Sequence, residues 1–372
     1  MSAGIDAGAV PSREEIVVYE PREDVPAGED PWIGPLVRAA SRRRRSLALW
    51  SLPLVVVCVY VLVEGRAWAG VALPAVLALF FALRFSSGVY GWYMSSPRSR
   101  ERLLATPLRK IDLGEGDLRA TKRAMYARLA DGQWFRFRPS SVYVPLLARR
   151  RYVWVLGPDS AGRVIVFLPG MVQAVARRVE KTPPAGAESV VEVAARTVVP
   201  KDDPVVQTAA RFNVLYVLAS VVPSVLVAGW FAVSYVPWLL GPDRRIDTLP
   251  GIVSVYGVLL AVFLLWTSFV MIFRLRRLAG AARAVVWTPL RITVDSAPRR
   301  GVAFPSLTGR CTLPDDTLRS VELRRVSANI GAAIEASGVL WVAGTPRGGG
   351  NAVGVPGHPF LGVAKLGPAK KP

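Results

Sequence analysis

The chain has 372 residues, 52% of them apolar and only 20% charged, with a formal net charge of +20. Two cysteines far apart, Cys58 in an apolar run and Cys311 in a polar region, exclude a disulfide-stapled secreted domain. A single histidine, His358, excludes most His-based metal and acid–base chemistry.

Residues 1–46 are rich in acids, glycine and proline and are expected to be a disordered acidic tail, closed by the basic cluster SRRRRS at 41–46. No signal peptide is expected, since the first apolar run begins only at Leu47. Residues 47–94 are expected to form a first transmembrane hairpin. The runs 47–63 and 67–83 are each seventeen residues without a charge, at the lower limit of about 17 residues for a helix crossing about 30 Å of hydrocarbon. Apolar character on every face argues against a buried hairpin in a soluble core. Residues 95–179 read as a β-rich module. LRATKRAMYARLA and QWFRFR alternate polar and apolar residues around Asp131–Gly132, SVYVPLLARRR suggests a short helix, and YVWVLG and RVIVFLPG make a hairpin. Residues 180–208, with TPPAGAE and KDDP, read as a linker. Residues 209–278 are expected to hold a second transmembrane hairpin, with apolar runs at 212–240 and 251–273, and residues 279–372 a second β-rich module with a helix over ANIGAAIEAS.

Basic residues set the expected orientation. Residues 86–211 carry 21 Lys/Arg against 11 Asp/Glu, and residues 274–372 carry 15 against 5, whereas the two short connections are balanced. Basic flanks stay on the cytoplasmic side, so both termini and both modules are expected there, in a multi-pass inner-membrane protein. Pro53, Pro74 and Pro223 read as kinks in packed helices, with transporter hinges as the alternative.

The chain repeats itself. WVLGPDSAGRVIVFLPG at 154–170 matches WVAGTPRGGGNAVGVPG at 341–357 at seven of seventeen positions. TPLR occurs at 106–109 and again at 288–291. The unit of two spans, a basic connector and a module is therefore expected twice, in parallel orientation. Each module is expected to be a small barrel or sandwich with its repeated tryptophan in the core. On TPLR after a span and the later W-V-x-G-P-x-x-x-G-R hairpin, the first unit resembles uncharacterised multi-pass membrane proteins of high-GC actinobacteria. The second copy departs from that pattern at Thr345 and Gly350. The resemblance implies the membrane architecture and carries no activity and no site.

Candidate chemistry is sparse. Ser160 in GPDSAG has no base beside it other than the distant His358, and the aligned position in the second copy is Arg347, so a turn residue is expected. GTPRGGGN at 344–351 lacks the GK[ST] ending of a phosphate loop, so its glycines are expected to serve turn geometry. Asp202–Asp203 and Asp315–Asp316 are adjacent and read as turn residues, since neighbours on a strand face opposite ways. No Cys/His cluster has metal-ligand spacing, and no cofactor is expected. Few ionisable residues interrupt the apolar runs, Arg84, Arg211 and Asn213 lying at their ends, which weakens an ion-coupled transporter.

Basic clusters remain. Orientation accounts for Arg42–Arg45 and Arg274–Arg277, which adjoin apolar runs, but less for Arg149, Arg150, Arg151, Arg177 and Arg178, inside or just after a module. An anionic leaflet attracts each nearby Lys or Arg by about 1 kcal/mol. These five are the expected contacts to anionic inner-leaflet lipid or a protein partner, with homo-oligomer formation also open and no nucleic acid expected. The function expected is thus non-enzymatic binding at the inner leaflet. The alternatives are a transport or channel component working through the helices, and a membrane enzyme acting on lipid.

Overall fold

The computed structural model describes residues 16, 18–38, 97–121, 124–128, 132–137, 141–157, 163–170, 172–179, 183–190, 199–240, 249–296, 306–324 and 326–370. One compact unit holds both β-rich modules (Pro97–Phe212 and Arg277–Pro372) and the N-terminal segment; the helical stretch Asn213–Arg276 belongs to a second.

Module 1 opens with helix α1 (Pro97–Leu104), followed by strands β1 (Arg109–Asp112), β2 (Leu118–Ala120), β3 (Met125–Arg128) and β4 (Trp134–Phe137). A 3-10 turn at Ser141–Tyr143 leads into helix α2 (Val144–Arg150), then strands β5 (Tyr152–Leu156), β6 (Arg163–Leu168), β7 (Val172–Val179) and the two-residue β8 (Glu188–Ser189). The strands form one antiparallel sheet in the order β1-β5-β6-β7-β4-β3-β2-β8. Alternation drives it: Met125, Ala127, Phe135, Phe137, Val164 and Val166 share one buried cluster while Tyr126, Arg136 and Ile165 between them do not.

Two long helices come next, α3 (Pro204–Leu240, 37 residues) and α4 (Leu249–Ala281, 33 residues). Module 2 then builds strands β9 (Trp287–Ser296), β10 (Leu307–Thr312) and β11 (Leu318–Leu323), helix α5 (Ala328–Ser337), and strands β12 (Val339–Ala343), β13 (Gly349–Gly354) and β14 (Leu361–Lys370). These six strands close into a barrel, β10-β11-β14-β13-β12-β9, around Leu290, Leu307, Val321, Leu340, Val353 and their neighbours.

The two modules share one plan. β9 is long enough to pair with β12 through its first half and with β10 through its second. In module 1 the same run is interrupted: β1 pairs with β5, β2 pairs with β3, and only residues 113–117 separate them. Reading β1 and β2 as one broken strand makes the strand order of module 1 that of module 2, with one helix between the third and fourth members in each. The tryptophan hairpins pair in equivalent register, Trp154 with Phe167 and Trp341 with Gly354, positions aligned in the sequence repeat. The shared glycines follow from backbone geometry, since Gly157 and Gly344, and likewise Gly170 and Gly357, all have positive φ.

The tryptophans are not in the barrel cores, contrary to expectation. Trp154 lies on the outer face with Leu103 and Leu104 of α1 and with Trp32 and Ile33. Trp341 lies on the outer face with Val206 and Ala209 of α3 and Leu278 and Ala281 of α4. Each repeated tryptophan therefore receives the helix that leads into its own module. TPLR does not keep its place as faithfully. Lys110 faces Trp154 across the ladder whereas Pro289 faces Trp341, a slip of three residues between copies, and an odd slip reverses the face. Accordingly Leu108 packs outside with Trp154 and Leu290 inside the barrel.

Two further expectations are corrected. Residues 18–38 fall within the stretch read as a disordered tail, yet Trp32 and Ile33 are buried, Trp32 Nε1 donates to Glu335 Oε2 at 3.0 Å, and Asp30 Oδ1 accepts from the backbone N–H groups of Trp32 and Ile33, capping a short helix at 33–38. Apolar residues at helical spacing supply the burial that the acid-rich composition obscured.

The larger correction concerns the four transmembrane helices in two hairpins. The runs 47–63 and 67–83 lie outside the described residues. The runs 212–240 and 251–273 fall in α3 and α4, but among the described residues no helix is long and apolar enough to cross a membrane. The first turns of α3 and the last of α4 are buried in protein around Trp287 and Trp341. The multi-pass architecture, the inner-membrane location and the cytoplasmic assignment of the termini lose their support with it. Large apolar side chains are nonetheless exposed along both helices, among them Leu215, Val233, Phe263 and Trp266.

Candidate anion-binding face

Cross-strand pairing assembles a row that adjacency in the sequence conceals. Arg163 of β6 pairs with Arg177 of β7, Arg177 with Arg136 of β4, Arg136 with Tyr126 of β3, and Tyr126 with Arg119 of β2. Directly paired residues of neighbouring strands share a face, about 5 Å apart at Cβ. Four arginines and one tyrosine thus run across five strands, on the face opposite the buried cluster of Phe135 and Phe137. Arg128, two residues from Tyr126 on β3, lies on the same face. The five strands contain six arginines and no aspartate or glutamate.

The described side chains show how the row is seated. Trp134 and Tyr126 are buried and pack together with Ala124, so their rings form a floor and are not open stacking platforms. Arg119 lies over that floor, its guanidinium carbon 5.7 Å from the Trp134 ring centroid, with its Nε buried and unbonded. Arg128 and Arg136 are exposed. Among the described residues no carboxylate forms an ion pair with Arg119, Arg128 or Arg136.

Module 2 supplies an internal comparison. Its equivalent row reads Gly350, Lys365, Glu322, Thr308 and Ser296, by the same succession of pairings from β13 to β9. There one lysine faces one glutamate, and Ser296 and Thr308 share a hydrogen bond of 2.9 Å. The same plan is built with no net charge on this row, so the arginines of module 1 are not demanded by the fold.

The five arginines expected from the sequence divide. Arg149 is built into the protein: its guanidinium makes bonds of 3.0 and 3.3 Å to the two carboxylate oxygens of Asp203, whose side chain is fully buried, and Nη1 also donates to the Gly357 carbonyl. Asp203 in turn accepts from the Val205 N–H and starts α3, with Pro204 at the first helical position, a role beyond the turn residue expected of it. Arg151 ends α2 in the left-handed region at φ 50° and donates to the Leu113 and Gly114 carbonyls. Arg150 is half-buried between them, beside His358, whose proton affinity its charge lowers. Arg177 belongs to the row. Arg178 pairs with Phe135 and occupies the other face.

Sequence reading missed Arg119, Arg128, Arg136 and Arg163. The available signal was their alternation with apolar residues in short strands, but the row exists only once registers between distant strands are known.

The other candidates resolve simply. Asp315 accepts from Thr317 N and Oγ1, and Asp316 takes φ 56°, in the turn joining β10 to β11. Asn351 binds the Arg347 backbone through both its amide atoms and closes the glycine loop on itself. Ser160 lies outside the described residues. Among the described residues no three His, Cys, Asp or Glu gather as a metal site. No protein family, curated protein or solved structure matches this chain.

Proposed function

We propose that this is a non-enzymatic binding protein whose module 1 holds an anionic partner, phospholipid headgroups, on the arginine row. The observation that carries this reading is the contrast between the two copies: where module 2 places Lys365 beside Glu322, module 1 places Arg177 beside Arg136, with Arg163 next to Arg177 and Arg119 beyond Tyr126. Like charges directly opposite across strands destabilise a sheet, so a row of them is explained by a ligand that neutralises it. Guanidinium groups suit this role because they stay charged and hold phosphate oxygens in pairs. The buried rings of Trp134 and Tyr126 favour phosphate contact over base stacking, in keeping with the expectation of no nucleic acid.

Flotation of the full-length protein with phosphatidylcholine vesicles, with and without phosphatidylglycerol, tests the reading. Binding should require the anionic lipid, weaken as salt rises, and fall when Arg136 and Arg177 are both changed to Gln. Vesicle binding indifferent to lipid charge, salt and both substitutions would discard the proposal.

A further inference from the structure

We infer that the group taken by the row is a multiply charged phosphate, a phosphomonoester or a diphosphate, in preference to a singly charged phosphodiester. This rests on the anion-binding reading above and narrows it. Strands lie about 4.8 Å apart, so Arg163, Arg177 and Arg136 occupy consecutive ladder positions at backbone steps of that size. A phosphodiester brings one negative charge. A phosphomonoester carries about −1.5 to −2 near neutral pH and offers three strong acceptor oxygens, enough to serve two neighbouring guanidinium groups at once.

Module 2 shows the same row built with its charges balanced within the chain. Glu322 stands at the position equivalent to Arg136, paired to Lys365 on one side and to Thr308 on the other. In module 1 Arg136 takes that position and the five strands hold no aspartate or glutamate, so the ligand phosphate takes the part of Glu322. Tyr126 then interrupts the charges, and Arg119 resumes them over Trp134 with an unbonded Nε. The row thus reads as a dense triplet followed, past an uncharged step, by a fourth arginine on an aromatic floor. That grouping suits a compact polyvalent headgroup better than evenly spread single charges.

The test uses the full-length chain and three probes: vesicles containing phosphatidic acid, whose headgroup is a phosphomonoester; vesicles containing phosphatidylglycerol, a diester, matched in surface charge; and inorganic diphosphate in solution. Phosphatidic acid should bind more tightly than the matched diester by about tenfold, and diphosphate should compete with it. The Arg136→Gln and Arg177→Gln double variant should lose that preference while staying folded, with a thermal unfolding midpoint no lower than that of the unaltered chain. Diphosphate binding without any vesicle binding would support the phosphate chemistry, assign a free ligand and overturn the lipid reading. Equal binding to the two matched vesicle types, with no effect of diphosphate, would overturn this inference while leaving the anionic-surface reading in place. Unaltered binding by a folded double variant would overturn both.

Discussion

His358 is buried with Nδ1 3.0 Å from the Pro356 carbonyl oxygen and Nε2 unbonded, its ring stacked on Phe360, and the charges of Arg150 and Arg149 nearby. Burial first, then the two arginines, lower its pKa to about 3 from an ordinary 6.5. The unfolded chain therefore takes up a proton that the folded one refuses. Stability is fully present above the unfolded value and is lost as pH falls from about 6.5 toward 3, by up to about 1.4 kcal/mol per pH unit. Urea unfolding at stepwise pH should show this slope, and His358→Asn should flatten it between pH 6.5 and 5, above the range in which ordinary carboxylates titrate. A slope unchanged in that variant would assign the acid sensitivity elsewhere. The neighbouring Arg149–Asp203 pair is of the kind whose rupture strands a buried charge. Arg149→Ala should cost about 3–5 kcal/mol by the same measurement, and Arg149→Lys should recover only part, because a single ammonium cannot span both carboxylate oxygens.

The elements were legible wherever one face is buried and the period is short. The alternation in MYAR and WFRF became β3 and β4, and SVYVPLLARRR and ANIGAAIEAS became α2 and α5. What short-range pattern could not convey was the closure of the strands, which depends on pairings between distant segments. β9 meets β10 with a register shift at Thr308/Gly309, and a Cβ at Gly309 would stand 2.5 Å from the Thr293 carbonyl oxygen. Gly309 is therefore required where the barrel closes, although glycine inside a strand is ordinarily a weak point. Gly309→Ala should destabilise module 2 by about 1–3 kcal/mol, seen as faster amide exchange along β9 and β10, with module 1 amides unaffected. The apolar runs after residue 204 were legible as helices, but not where those helices are anchored. α3 begins at Pro204, eight residues ahead of the run, because Asp203 caps it and Val206, Ala209 and Ala210 find buried places against module 2.

Across the whole molecule, duplication provided one plan and two settlements of the same row. Module 2 pairs Lys365 with Glu322, while module 1 sets Arg177 beside Arg136 and gives up cross-strand stability. The sequence repeat revealed the plan through Trp154 and Trp341 and showed Arg163 replaced by Gly350, but Arg177 against Lys365 and Arg136 against Glu322 lie outside any shared motif and emerged only once the strands were registered. If the arginines serve binding, the two properties must oppose one another, as commonly happens where function requires a strained or repulsive arrangement. Arg136→Glu would write the pattern of module 2 into module 1, placing a carboxylate between Arg177 and Tyr126. That variant should gain about 0.2–1 kcal/mol of stability from its one new opposite-charge pair, with Arg177. It should also lose vesicle and diphosphate binding outright, since the carboxylate occupies the place of the ligand. Thermal unfolding and flotation on the same preparation give both readings. A variant that is less stable and still binds would mean that the arginines are accommodated by the sheet itself, with no anion required to explain them.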